Sequence, residues 1–135
     1  MRLAATSDSF PLLPHEVAIE LIAGLGFDAH DLMLFGNRSE ITPQLVREDV
    51  GRWAGLIAER GHARGLPCSD VFVIPWTDFT AMAANHPEPD ELAAGRALFE
   101  DMVDFAARLG AGGLTMLPGA DWPGEEHQAS LERAA

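Results

Sequence analysis

One local pattern occurs three times in this chain: an amphipathic helix, a glycine-rich stop, then a short apolar run closed by Pro or Gly. It is clearest in FAARLGAGGLTMLPG, Phe105 to Gly119. Leu109 closes an apolar helical stripe, and the glycines that follow supply the permissive backbone of a helix C-cap. Leu114 to Leu117 is nearly all apolar, the pattern of a strand covered on both faces. IAGLGFDAHDLMLFG (Ile22 to Gly36) repeats the grammar, and AERGHARGLPCSDVFVIP (Ala58 to Pro75) repeats it more loosely. Such repeats predict βα units, hence an α/β fold with a parallel sheet.

The chain read in order predicts four strands: Leu3 to Thr6, Phe27 to Phe35, Cys68 to Ile74, and Leu114 to Leu117. Helices fall between them. The first, His15 to Ala23, follows Pro14. The second starts at Thr42-Pro43, a hydroxyl cap ahead of a first-turn proline, and runs to Gly61 on the stripe Val46, Val50, Trp53, Ile57. Within it Glu48 and Arg52 stand four apart, the spacing of a surface ion pair. The third runs from Pro89 to Leu109, despite Gly95. Pro75 to Pro89 is a long connection with one helical turn expected at Thr80 to Ala84. SLERAA opens a fourth helix.

With 135 residues, 47% of them hydrophobic, the chain is sized for one domain, residues 1–135, with its own core. A lone cysteine, Cys68, excludes an internal disulfide and fits a reducing compartment. The N-terminus has no long apolar core of a signal peptide and no run is long enough to span a membrane, so a cytoplasmic protein without a membrane partner is expected. Nine basic against 21 acidic residues give a net charge of −12, which repels phosphate backbones and excludes nucleic acid as a partner.

Two closures suit a parallel βα repeat: an open doubly wound sheet or a barrel. No glycine-rich dinucleotide loop or P-loop follows any strand, which removes the best marker of the open nucleotide-binding sheets. LIAGLGFDAHDL, TPQLVREDVGRWAGLIAERG and the long stretch DFTAMAANHPEPDELAAGRALFEDMVDFAARLGAGGLTMLPGADWPGE resemble the sugar phosphate isomerase/epimerase family of xylose-isomerase-like TIM barrels. The resemblance covers nearly the whole chain and is strongest in Asn85-His86-Pro87, in Asp104-Phe105-Ala106 to Leu109-Gly110, and in Leu117-Pro118-Gly119. It implies the N-terminal half of such a barrel: about four parallel strands in order 1-2-3-4 with outer helices, a half-barrel that is incomplete by itself.

The family performs metal-assisted proton transfer next to a carbonyl of a sugar or sugar phosphate. It uses a divalent metal (Mn, Mg, Zn or Co) in a Glu/Asp/His/Glu shell, with two glutamates as acid and base. Those groups come from later strands, so the resemblance carries no metal ligand and no catalytic residue onto this chain, which alone is expected to be inactive. What it leaves is a substrate-side half: Asp31 on the second strand, Asn85 and His86 in the long loop, and Trp122 after the fourth strand. The plainer reading of Asp31 is a hydrogen-bonded buried carboxylate, and of Asn85-His86 a turn set by Pro87. Asp8, Asp70 and Asp121 also lie on or just after strands. The family's DNA-repair relatives are disfavoured by the acidic charge and the lack of a basic stripe.

His30 should alternate away from Asp31 toward the helices. His15 and His62 flank helix ends and read as solvated. Glu125, Glu126 and His127 sit too close in sequence to converge on one ion, and Cys68 reads as inert packing. An open half-barrel would expose two strand edges and an inner face drawn from residues such as Phe72, Ile74, Met116 and Leu117, alternation leaving open which of them point inward because the runs are apolar on both sides. Self-association or pairing with a missing half is therefore expected. The competing readings are a non-catalytic (βα)4 module that self-associates for binding or scaffolding, and a small open-sheet domain with its own ligand.

Overall fold

A computed structural model describes residues 1–11 and 13–134. The elements are β1 (Ala4–Thr6), a 3-10 turn (Ser7–Ser9), α1 (His15–Gly24), β2 (Ala29–Phe35), α2 (Pro43–Glu48), α3 (Val50–His62), β3 (Cys68–Ile74), α4 (Pro89–Leu109), β4 (Leu114–Met116) and α5 (His127–Ala134). The four strands form one sheet in order β1-β2-β3-β4 with every pair parallel. The protein is thus α/β, and its architecture is consistent with a (βα)4 half-barrel unit. No described helix is long and apolar enough to cross a membrane.

The pleat separates two faces. His30, Leu32 and Leu34 of β2 stand in register with Ala5 of β1 and with Val71 and Val73 of β3, and all of these face the helices. Leu32, Leu34, Val71 and Val73 form the main core with Val46, Ile57, Met102 and Phe105 from α2, α3 and α4. Ile19 and Ile22 of α1 make a second cluster with Leu66, against Ala5. The helices α1 to α4 all pack on this side, so the doubly wound alternative, which covers both faces, is not the arrangement formed. The other face carries Asp31, Met33 and Phe35 of β2 and Asp70, Phe72 and Ile74 of β3. Phe79, from the loop after β3, folds back toward Phe35 with ring centroids 6.1 Å apart.

Several local expectations are corrected. The second helix is two helices, broken at Asp49, whose extended backbone lets its carboxylate cap the Arg52 amide at 2.9 Å. The break parts Glu48 from Arg52, and the Arg52 guanidinium lies over the Trp53 ring instead. Thr80 to Ala84 forms turns without a helix. Met116 pairs in register with Val73, so it belongs to the helix side and not to the inner face. His15 is buried, not solvated: it falls on the same face of α1 as Ala18, Ile19 and Ile22. The third helix starts at Pro89 and ends at Leu109, and Gly110 caps it with a φ of 75°.

Candidate functional site

The sequence candidates divide between two places. Asp31 lies on the inner face of the sheet, in register with Thr6 on one side and Asp70 on the other. The register slips at His30/Asp31, and the slip brings the Ser69 hydroxyl within 2.5 Å of the Asp31 carboxylate and 3.2 Å of the His30 carbonyl oxygen. Asp31 is therefore a half-buried, hydrogen-bonded carboxylate beside a second one. It precedes the end of β2 by four residues, about 13 Å along the strand, which sets it well below the rim where the loops cluster.

Asn85, His86 and Trp122 come together at that rim, where β3 and β4 run into their loops. Asn85 is 3% exposed, and all four hydrogen-bonding positions of its amide are used. Its Nδ2 donates to the carbonyl oxygens of Ala120 (2.8 Å) and Ser130 (3.0 Å). Its Oδ1 accepts from the Ala120 amide (2.9 Å) and from the Trp122 indole N–H (3.3 Å). Arg133 of α5 donates to the Asn85 carbonyl at 3.1 Å and to Glu125 at 2.8 Å. Asn85 thus ties the β3–α4 loop to the β4–α5 loop and leaves its amide no capacity for a ligand.

His86 and Trp122 are the groups Asn85 holds up. Their rings meet edge to face, 4.4 Å between centroids and 73° between planes, and both are half-buried. The His86 Nδ1 accepts from the Glu88 amide at 3.1 Å. In the neutral ring that bond puts the proton on Nε2, which makes the outer edge a donor. An aromatic face beside a hydrogen-bond donor is a surface a polyhydroxylated ring can use, with C–H groups on the indole and a hydroxyl or phosphate oxygen on the imidazole.

The remaining candidates stand apart. Asp8 follows β1 in the 3-10 turn and lines a cavity of about 30 Å³ with Ser7, Arg38, Ser39 and Glu40, room for little more than a water molecule. Asp121 and His127 form an exposed pair at 2.7 Å. Glu125 is engaged by Arg133, whose hydrogen bond holds the carboxyl below the usual range. Cys68 donates to the Asp70 carbonyl oxygen at 3.3 Å, and burial pushes its thiol up to about 12. Among the described residues no group of three or more His, Cys, Asp or Glu side chains could hold a metal ion.

Sequence reasoning missed the supports of the rim, Ser130 and Arg133, because they lie 45 and 48 residues from Asn85 and only the fold brings them to it. It placed His30 on the helix side, as found, but took His15 for solvated although His15, Ala18 and Ile22 follow helical spacing, and so missed that the two rings meet. No protein-family model matches the chain, and comparison with curated proteins finds no match.

Proposed function

We propose that this chain is the substrate-side half of a sugar or sugar phosphate isomerase/epimerase barrel, with His86 and Trp122 contacting the sugar. The observation that carries the reading is their pairing at the C-terminal rim of a one-sided parallel sheet, the end where barrels of this kind place their chemistry. In this reading Trp122 orients the sugar ring, the His86 Nε2–H holds one oxygen, and Asn85 fixes both from behind as a positioning residue. The proton transfer next to the carbonyl, and the divalent metal assisting it, belong to residues outside this chain. The second reading, a non-catalytic (βα)4 module, is favoured by the rim's lack of a convergent acid–base pair: Glu125 is engaged by Arg133, and Asp31 and Asp70 lie deep on the sheet.

The test is an NMR titration of the Trp122 indole N–H and the His86 ring signals with aldoses, ketoses and their phosphates. Concentrations reaching about 10 mM detect binding of only about 3 kcal/mol. Saturable shifts confined to these two residues, and lost in Trp122→Ala, are the expected result. Signals that stay unmoved by every sugar sink this reading and leave the non-catalytic module.

A further inference from the structure

We propose that two copies of this chain close into one eight-stranded barrel, the β1–α1 edge of each packing against the β4–α5 edge of the other. The inference rests on the half-barrel geometry and goes beyond it by naming the partner; two identical copies add no residues to those described, so this barrel belongs with the second, non-catalytic reading.

Both sheet edges are dressed for a neighbour. On α1, Glu16 and Glu20 turn toward Arg60 of α3 and Arg64 of the turn after it, with Arg60 and Glu16 3.7 Å apart. The opposite flank of α1, carrying Val17 and Leu21, turns away from these arginines and is open to solvent. Val17 is 38% exposed, Leu21 42% and Leu25, just after the helix, 67%. The far edge repeats the arrangement. Asp101 of α4 pairs with Arg47 of α2 at 2.6 Å, so the flank with Phe99 and Val103 turns away from α2. It lines a groove of about 470 Å³ with Met116, Arg96 and Arg133. Leu131 on α5 is also exposed, on the side of that helix that faces Asn85, Pro118 and Gly119. Large apolar side chains thus gather at the two ends of the sheet and in the rim loop, and the helix surfaces between carry the ion pairs.

The strand geometry fits a second copy. β1 and β4 are each three residues long, and the whole sheet is parallel. The β1 of a copy placed beside β4 continues the sheet in the same sense, and the two-fold axis then repeats the contact at the other edge. Four strands from each chain make eight, the number whose interior side chains fill a closed barrel. The contact joins unlike edges, yet it closes after two chains and cannot propagate into a fibre.

The surface area agrees. A compact monomer of this mass exposes about 6,900 Å², whereas the chain exposes 7498 Å². The surplus is in the direction that a surface left open to a partner gives. The opposing factor is charge, −12 on each copy, together with Asp31 and Asp70 on the inner face. Added salt should therefore tighten the dimer, because it screens the repulsion between the copies.

Light scattering of the intact chain at micromolar concentration tests this, with Leu21→Glu and Val103→Glu as edge variants checked for native circular dichroism. The expected mass is twice 14.5 kDa. Each variant alone should be monomeric, since both of its contacts then carry a glutamate. An equimolar mixture should dimerise again, because one wild-type contact is restored. A monomeric wild type, a dimer indifferent to either variant, or a mixture that stays monomeric each overturns the proposal. Dye binding separates the two levels: a monomer that binds a hydrophobic dye keeps an open inner face and leaves the half-barrel standing. A monomer that binds none removes both.

Discussion

The imidazole rings of His15 and His30 meet edge to face inside the protein, 5.9 Å between centroids, joining α1 to β2. The His15 Nε2 and the His30 Nδ1 have no hydrogen-bond partner among the described residues, and the Arg60 guanidinium lies 3.4 Å from the His15 Nδ1. Burial, then His30 and Arg60, lowers His15 to about 3. Burial lowers His30 to about 4, opposed by Asp31.

Acid should unfold this protein through that pair. The unfolded histidines titrate near 6.5, so below that pH the unfolded chain binds more protons than the folded one. The stability contribution is complete above pH 6.5 and falls as pH falls toward 4. Each histidine removes at most about 1.4 kcal/mol per pH unit. Urea midpoints measured between pH 7.5 and 5, above the range of most carboxylates, should decline on acidification, and His30→Leu should flatten part of the slope. A midpoint constant over that window contradicts the assignment.

Gly95 sits in the middle of α4, where alanine would ordinarily add about 1 kcal/mol. Here the Met82 carbonyl oxygen lies 2.6 Å from the point its Cβ would occupy, with Met82 itself at a φ of 55°. Gly95→Ala should therefore destabilise by about 1–3 kcal/mol, the usual cost of overpacking. Chemical denaturation giving a more stable variant would show that the loop yields at no cost.

Asn85→Ala should cost about 1–3 kcal/mol for the buried groups it leaves unpaired: the Ala120 amide, the Trp122 indole and the Ser130 carbonyl. Its effect should be largest at the rim. Hydrogen exchange should accelerate in α5 and the loop before it while β2 and β3 keep their protection. Uniform acceleration across the chain would refute a local clamp.

Cys68 should ignore thiol reagents in the folded protein at pH 8, since burial pushes its thiol up to about 12 and the thiolate is the reactive form. Labelling should accelerate in step with denaturant-induced opening. Fast native-state labelling would mean that the sulfur is neither buried nor held by the Asp70 carbonyl.

The βα order, the strand Cys68–Ile74 and the helix Pro89–Leu109 were legible in the sequence, because each rests on local chemistry: apolar periodicity, a proline at a helix start, a glycine at its end. The parallel order of the strands followed from the short crossovers that such units permit. What the sequence left open was decided between distant segments. Which face Met116 presents depends on its register with Val73, since an apolar run alternates without a polar residue to mark the outside. Asp49 reads as an ordinary helix residue until its carboxylate is seen capping Arg52. Asn85 and His86 were visible as polar residues in the long loop and Trp122 as an aromatic after the fourth strand, but their union is a matter of two loops meeting across 37 residues of chain. His15 reads as an exposed helix start, and only the packing of α1 on β2 buries it against His30. Local propensity is written in neighbouring residues, whereas burial and hydrogen-bond partnership belong to pairs that only the folded chain brings within reach.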